Sequence, residues 1–151
     1  MKVLVTGADG FIGSHLVQLL LLHGFDVKAL CLYTFDGSCG WLDTLPNEQL
    51  SNIEILRGDV RDSSYILTVS TDCSIIFNLA ALIGIPYSYT APRSYIDTNL
   101  LGTLNILESA RFHGDIRVVQ TSTSETYGTA QYVPIDEKHP LSAQSPYAAS
   151  K

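Results

Sequence analysis

The chain has 151 residues, of which 46% are hydrophobic and 16% charged, a balance typical of one soluble globular domain. Its formal net charge is −6 with only nine lysines and arginines, which argues against a nucleic-acid or anionic membrane partner. The longest apolar stretch, residues 16–22, is far shorter than the roughly 20 residues of a membrane span, and no signal peptide precedes it. We therefore expect a cytoplasmic protein that acts on small molecules.

Short apolar runs alternate with helical patterns along the chain. Runs rich in Val, Ile and Leu without polar alternation are typical of parallel strands buried on both faces. Predicted strands cover 2–6, 26–33, 53–57, 74–79 and 117–122, and predicted helices cover 12–23, 63–69 and 94–112. Residues 34–50 are expected to form a long loop with one helical turn. This order predicts an α/β fold, a Rossmann-type doubly wound parallel sheet.

Helix ends are marked by glycine and proline. Gly24 and Gly114 each follow a helical pattern and are predicted C-terminal caps. Pro146 stands at the expected start of a last helix that carries Tyr147 and ends the chain at Lys151.

A glycine-rich segment lies between the first predicted strand and the first predicted helix. Residues 6–13 read TGADGFIG, which spaces Gly7, Gly10 and Gly13 as Gly-x-x-Gly-x-x-Gly. Glycines also simply make turns. In this context, however, they let backbone amides approach a pyrophosphate, and the helix N-terminus supplies partial positive charge. The segment therefore predicts dinucleotide binding.

Tyr147 and Lys151 form a Tyr-x-x-x-Lys pair. Residues four apart share one face of a helix, so the ammonium can lie beneath the phenol and favour its anion. A phenolate is a usable general base. The pair alone is weak support, because any surface helix can carry it, and the neighbouring motifs decide its interpretation.

Six motifs, in order along the whole chain, resemble those of an extended short-chain dehydrogenase/reductase of the NAD-dependent epimerase/dehydratase family. They are the glycine segment, GDV at 58–60, NLAA at 78–81, Asn99, STSETYG at 122–128 and the Tyr-x-x-x-Lys pair. The resemblance implies that Asp59 and Val60 contact adenine and that Tyr147 and Lys151 reach the nicotinamide ribose. The implied cofactor-binding residues are Gly7, Gly10, Phe11, Ile12, Gly13, Asp59, Val60, Leu79, Ala80, Ala81, Asn99, Tyr147 and Lys151.

Two positions depart from this family pattern. Many members end the second strand with an acid that holds the adenosine ribose, whereas residues 30–33 read LCLY here and Asp36 follows slightly later. The choice between NAD and NADP is therefore open, and the lack of a nearby arginine for a 2′-phosphate favours NAD. Asn78 stands where histidine is common, and we attach no mechanistic loss to it.

The residues after the fifth predicted strand indicate the type of reaction. A carboxylate at Glu125 could remove a proton from a carbon next to a ketone, as 4,6-dehydration requires, or it could merely cap a turn or the next helix. Thr123-Ser124-Glu125 resembles the triplet of GDP-mannose 4,6-dehydratases, although UDP-glucuronate decarboxylases share it. Ser124 cannot replace the aspartic acid that donates a proton in the dTDP-glucose 4,6-dehydratases.

Three flanking segments narrow the resemblance. Residues 41–46, 83–89 and 127–141 resemble dehydratases of the legionaminic-acid pathway, which use a nucleotide-linked N-acetylglucosamine. The resemblance thus implies a 4,6-dehydratase with Thr123, Glu125, Tyr147 and Lys151 as catalytic residues and no metal. A decarboxylase, a 4-epimerase and a non-catalytic dinucleotide-binding fragment are the alternatives.

The resemblance also implies that residues 1–151 form an incomplete NAD(P)-binding domain, with the sheet ending after its fifth strand and the C-terminal substrate-binding part absent. We therefore expect exposed apolar surface, some affinity for the cofactor, and little or no turnover by this chain alone. The full-length enzyme is expected to be a homodimer that takes a nucleotide-sugar substrate.

Overall fold

A five-stranded parallel sheet forms the centre of the computed structural model, which describes residues 1–151. The strands are β1 (Lys2–Thr6), β2 (Asp26–Leu32), β3 (Ile53–Gly58), β4 (Ile75–Asn78) and β5 (Arg117–Gln120). They lie in the order β3-β2-β1-β4-β5, and every neighbouring pair is parallel. This is the order of the first five strands of a Rossmann sheet, so the predicted fold class is confirmed.

Seven α-helices connect or flank the strands. They are α1 (Phe11–Leu22), α2 (Asn47–Leu50), α3 (Ser63–Val69), α4 (Ile85–Thr90), α5 (Pro92–Tyr95), α6 (Gly102–His113) and α7 (Pro146–Ala149). A π-helical stretch, Ile96–Leu101, joins α5 to α6, and 3-10 turns cover Gly40–Thr44 and Ser124–Tyr127. None of these helices combines the length and apolar character needed to cross a membrane.

The structure differs from the sequence-based prediction in its helices more than in its strands. The predicted helix 94–112 is α5, the π-helical stretch and α6 in succession, and α4 was not predicted at all. Six residues are too few to show a helical period, which explains why α4 was missed. The loop 34–50 contains two short helical turns instead of one.

Both faces of the sheet are covered at its central strands, as in a doubly wound fold, whereas the edge strand β5 is largely exposed. Strand residues alternate between two apolar clusters. Val3, Val5, Val27 and Ala29 pack with Val17 and Leu20 of α1 on one face. Leu4, Leu30 and Ile76 pack with Ile66 of α3 and Ile106 of α6 on the other. The carboxyl ends of β1, β2 and β4 therefore reach one edge of the sheet together.

The predicted caps at Gly24 and Gly114 and the predicted helix start at Pro146 are confirmed, whereas the last helix ends at Ala149 and not at Lys151. Gly24 follows α1 with φ +74°, and Gly114 follows α6 with φ +90°, a conformation that side chains disfavour. Pro146 opens α7, where the hydroxyl of Ser145 accepts a hydrogen bond from the Ala148 amide at 3.0 Å.

The expected exposed apolar surface is present on one helical face and on the edge strand β5. Leu100, Leu104 and Leu107 are 45%, 47% and 49% exposed, and Val119 of β5 is 42% exposed. Leu100, Leu104 and Leu107 fall on a single face, because residues three and four apart are neighbours on a helix.

Replacing Gly13 by alanine should strongly destabilise the fold. A Cβ at position 13 would lie 2.1 Å from the Gly7 carbonyl oxygen, so α1 would have to move away from β1. We expect a loss of about 3 kcal/mol in the free energy of unfolding, measured by urea denaturation. Gly84→Ala is the matched control, because a Cβ there meets nothing closer than 3.4 Å. Equal stability of the two variants would contradict a tight contact between Gly13 and the Gly7 carbonyl.

Candidate active site

The glycine segment forms a tight connection between β1 and α1. Gly7 has φ +65°, and a Cβ there would lie 2.8 Å from the Ala80 amide nitrogen at the end of β4. The Gly10 amide donates to the Gly7 carbonyl at 3.1 Å. Glycine is therefore required both by the turn and by the close packing of the segment against two neighbouring elements.

The first backbone amides of α1 have no hydrogen-bond partner and lie free at the N-terminal end of the helix. The amides of Phe11, Ile12 and Gly13 donate to no carbonyl, as expected for the first residues of a helix. The cap residue Gly10 has no side chain to occupy them, and the first turn has no acidic residue. The arrangement suits an anionic group, since the helix dipole adds partial positive charge.

A groove of about 350 Å³ runs along the carboxyl edge of the sheet. It brings together five of the predicted cofactor residues: Gly7, Asp59, Val60, Ala80 and Ala81. It is also lined by residues that were not among the predicted cofactor residues, namely Asp9, Leu30, Cys31, Leu32, Gly58, Arg61, Leu82, Tyr87, Ser94 and Thr98. Arg61 thus lies at the groove, where the sequence analysis expected no nearby arginine. A cavity of about 470 Å³ between α3 and α6 contains none of the predicted site residues.

A buried hydrogen-bond network fixes the edge of this groove. Thr6 donates to the Asn78 side-chain oxygen at 2.6 Å and accepts from the amides of Leu79 and Ala80 at 3.2 and 3.1 Å. The Asn78 amide donates to Gln120 at 2.8 Å. The network joins β1, β4 and β5, so Asn78 has a structural role that positions the backbone after β4.

Asp59 is paired with Arg61 at the mouth of the groove. The Arg61 Nε lies 3.0 Å from both carboxylate oxygens of Asp59. These hydrogen bonds lower the pKa of Asp59, against a smaller opposing effect of its partial burial. Because the pKa of Asp59 is lower in the folded than in the unfolded chain, its pairing with Arg61 stabilises the folded state at neutral pH. This stabilisation is lost as the pH falls through the folded-state pKa.

Tyr147 of the predicted Tyr-Lys pair lies in the first turn of α7, whereas Lys151 lies two residues beyond the end of this helix. The Tyr147 side chain is 8% exposed and packs edge-on against Tyr95, with ring centroids 6.3 Å apart. Its hydroxyl makes no hydrogen bond within the protein and is not fully buried, so it remains accessible. Lys151 is half-buried, and this burial lowers the pKa of its ammonium below the usual value.

Asn99 connects α7 to the segment after β4. Its side chain accepts from the Leu82 amide at 2.8 Å and donates to the Leu82 carbonyl at 3.0 Å and to the Ser150 hydroxyl at 2.8 Å. The Ser150 hydroxyl in turn donates to the Tyr147 carbonyl at 2.8 Å. Since these bonds use the whole amide, Asn99 is placed to position the Tyr147 helix, while its predicted contact with the cofactor stays a prediction.

Glu125 lies exposed in the 3-10 turn after β5. The Thr123 hydroxyl caps this turn by accepting from the Glu125 amide at 3.3 Å. The Glu125 carboxylate itself makes no hydrogen bond or ion pair, so it does not serve as a cap. The turn packs against α7, which brings the segments of Thr123, Glu125 and Tyr147 together.

The sheet order and the glycine turn define a Rossmann-type domain of the short-chain dehydrogenase/reductase class. Residues 4–151 match the family described as GDP-mannose 4,6 dehydratase. The chain belongs to this family, and its recognition as a member of the wider epimerase/dehydratase group is confirmed.

Similar proteins include both epimerases and dehydratases. The UDP-glucose 4-epimerase of Mycolicibacterium smegmatis is 38% identical, matching 100% of this chain and 48% of that protein. The dTDP-glucose 4,6-dehydratase of Streptomyces niveus is 34% identical, matching 100% of this chain and 46% of that protein. A crystal structure of dTDP-glucose 4,6-dehydratase from Bacillus anthracis in complex with NAD superimposes with a TM-score of 0.82 and 29% identity. That match covers 100% of this chain and 47% of the crystallised one. The chain thus spans about half the length of these relatives.

Replacing Asn99 by alanine should destabilise the protein and loosen α7. The change leaves the Leu82 amide and carbonyl without their partner and removes the bond to Ser150. We expect a loss of about 3 kcal/mol in the free energy of unfolding, with faster hydrogen exchange of the α7 amides. Asn52→Ala, at an exposed asparagine, should cost less than about 0.5 kcal/mol. Similar losses in the two variants would argue against the positioning role.

Proposed function

We propose that this chain is the cofactor-binding and catalytic half of an NAD-dependent nucleotide-sugar 4,6-dehydratase. The proposed substrate is a nucleotide-linked N-acetylglucosamine-type hexose, and the product is its 4-keto-6-deoxy form. The observation that carries the proposal is the free Glu125 carboxylate on a turn packed against the Tyr147 helix. The resemblance of residues 41–46, 83–89 and 127–141 to dehydratases of this substrate class supports the choice of sugar.

The residues present fit NAD as cofactor. Gly7 and Gly13 leave no room for a Cβ where the loop approaches Ala80 and α1. The unpaired amides at the start of α1 would bind the pyrophosphate, and the groove past Asp59 and Val60 would hold the adenosine. The similar dehydratase from Bacillus anthracis was crystallised with NAD.

The first step of the proposed reaction is the oxidation of C4. Tyr147, as phenolate, accepts the proton of the C4 hydroxyl, and the Thr123 hydroxyl hydrogen-bonds O4. The Lys151 ammonium holds the nicotinamide ribose and stabilises the phenolate. When bound, NAD supplies the oxidising power by taking the C4 hydride and returning it to C6 within one turnover.

The second step removes water from C5 and C6. The ketone at C4 makes the C5 hydrogen acidic, and the Glu125 carboxylate takes this proton. The protonated Glu125 then gives it to the departing C6 hydroxyl, which leaves as water. Glu125 is assigned this donation because Ser124 has no acidic proton to give. When the hydride returns to C6, C5 takes up one proton, and Tyr147 gives up the proton that it received from the C4 hydroxyl. Both side chains then return to their starting states.

A UDP-glucose-type 4-epimerase is the second candidate. It is supported by relatives such as the Mycolicibacterium smegmatis enzyme, at 38% identity. Tyr147, Lys151 and the cofactor groove would also serve an epimerase equally well. An epimerase has no step that needs the Glu125 carboxylate. A UDP-glucuronate decarboxylase shares the Thr-Ser-Glu triplet, and a non-catalytic dinucleotide-binding fragment would need no substrate at all.

Product mass separates these candidates. The chain, and a version extended past Lys151, would be incubated with NAD and with UDP- or GDP-linked N-acetylglucosamine and followed by mass spectrometry. We expect the extended chain to remove one water and this chain to bind NAD with little turnover. An epimer of unchanged mass, separated by chromatography, would replace the dehydratase proposal with the epimerase, and loss of carbon dioxide in a parallel incubation with UDP-glucuronate would replace it with the decarboxylase. Binding of NAD without any reaction would reject the proposal for these two substrates.

Replacing Glu125 by glutamine should separate the two steps. The amide keeps the shape of the side chain but cannot take the C5 proton. In the extended chain we expect C4 oxidation to continue, seen as reduced nicotinamide absorbance, while water loss falls by about 100-fold or more. Glu108→Gln, at an exposed α6 carboxylate bonded to Arg111, should leave turnover unchanged. Normal dehydration by the Glu125 variant would rule out Glu125 as the base that removes the C5 proton.

A further inference from the structure

The carboxyl end of β2 has no acid of its own facing the groove. In dinucleotide-binding folds an Asp or Glu at this place holds the adenosine ribose. Here β2 ends at Leu32, which Tyr33 follows. Asp36, the next acid along the chain, accepts from the Ser38 amide at 3.2 Å in its own turn, and it does not line the groove.

Asp9 of the glycine segment supplies a carboxylate at this place instead. It is half-buried and lines the groove beside Leu30, Cys31 and Leu32. Its Oδ2 accepts from the Leu32 amide at 3.3 Å, which ties the glycine segment to the last residue of β2. Its Oδ1 accepts no hydrogen bond from the protein, so one carboxylate oxygen is left free beside the groove.

The backbone of Asp9 is held from the opposite side as well. The Trp41 amide donates to the Asp9 carbonyl at 2.9 Å. Gly40, with φ +56°, comes so close that a Cβ there would lie 2.5 Å from the same oxygen. The carboxylate is therefore carried by a backbone fixed both to β2 and to the 3-10 turn Gly40–Thr44.

Asp9 forms no ion pair with any cationic side chain, although Arg57 and Lys28, whose hydrogen bonds go to neutral groups, keep their positive charge. Arg61, which also lines the groove, is bound by both carboxylate oxygens of Asp59. Arg57 donates to the Gly37 carbonyl at 2.7 Å and to the Cys39 sulfur. Lys28 donates to the carbonyls of Val69 and Thr71 at 3.1 and 3.0 Å. Burial raises the pKa of the neighbouring Cys31 thiol, interactions with Cys39 and with the charge of Asp9 raise it further, and the charge of Arg57 lowers it.

We propose that Asp9 receives the adenosine ribose hydroxyls of the dinucleotide and makes this site select NAD over NADP. The inference rests on the proposed function only in taking a dinucleotide as the occupant of the groove. The ribose hydroxyls offer donors to the free Oδ1. A 2′-phosphate offers acceptors and added negative charge, which a carboxylate held in no ion pair repels.

Equilibrium binding of NAD and NADP tests this assignment without any catalytic readout. Trp41 is the only tryptophan of the chain, and it packs against Phe11 with ring centroids 5.3 Å apart, next to the glycine segment. Its fluorescence is therefore the signal to follow during titration with each dinucleotide. We expect NAD to bind at least about tenfold more tightly than NADP at low salt, with a smaller ratio at high salt. ADP should bind more tightly than 2′-deoxy-ADP.

Asp9→Asn keeps an oxygen that can accept from the Leu32 amide but removes the charge. We expect the NADP-to-NAD ratio of dissociation constants to fall by about tenfold or more in this variant. Asp36→Asn is the matched control, because it makes the same charge change a few residues beyond β2 on a side chain outside the groove. It should leave the ratio unchanged.

The possible results separate this proposal from the function on which it rests. Failure of the folded wild-type chain to bind either dinucleotide would overturn the NAD-dependent function and the role of Asp9 together. Tight binding of NAD with an equal affinity for NADP, or an unchanged ratio in Asp9→Asn, would overturn the role of Asp9 alone. The same holds if Asp36→Asn, and not Asp9→Asn, shifts the ratio. If Asp9→Asn does not fold, Asp9→Ser takes its place, because the smaller side chain also removes the charge and keeps an oxygen acceptor, and an unchanged ratio in it would overturn the role of Asp9.

Discussion

The close approach of α1 to the end of β1 is the constraint on which the rest of the site depends. A Cβ at Gly13 would lie 2.1 Å from the Gly7 carbonyl, so the helix reaches the sheet only because position 13 has no side chain. The same approach presents the first α1 amides at the carboxyl edge of the sheet. Gly7 also packs against Ala80, so the segment after β4 takes its position from the same turn.

The segments around Tyr147 are held together by hydrogen bonds between residues that are distant in sequence. Asn99 lies in the π-helical stretch and bonds both Leu82, after β4, and Ser150, beside Lys151. A π-helical turn shifts the register of the residues that follow it, and such turns are frequent at functional sites. The orientation of Tyr147 thus depends on contacts across the fold as well as on the local helix that carries it.

The strands and the glycine turn were predictable from the sequence, because both rest on local patterns. Unbroken apolar runs indicated the parallel sheet, and the spacing of Gly7, Gly10 and Gly13 has few structural explanations between a strand and a helix. The helix α4 and the π-helical stretch were not predictable in the same way. The first is too short to show a period, and the second is accompanied by tertiary bonds that leave no local signal. Asp9 was missed for a related reason, since its position relative to β2 appears only when the glycine segment folds back against Leu32.

The electrostatics of the groove follow from how its charges are compensated. Asp59 and Arg61 cancel each other at one wall, while the Asp9 carboxylate is held by one backbone amide and keeps an oxygen free. A neutral amide satisfies a hydrogen-bond acceptor but does not cancel its charge, so Asp9 adds a negative potential to a site whose other anion-binding element is the α1 N-terminus. The first amides of α1 suit a pyrophosphate, and the groove beside Asp9 suits uncharged hydroxyls. That arrangement matches the order of groups in a dinucleotide and makes the fixed backbone of residues 7–13 responsible for both features.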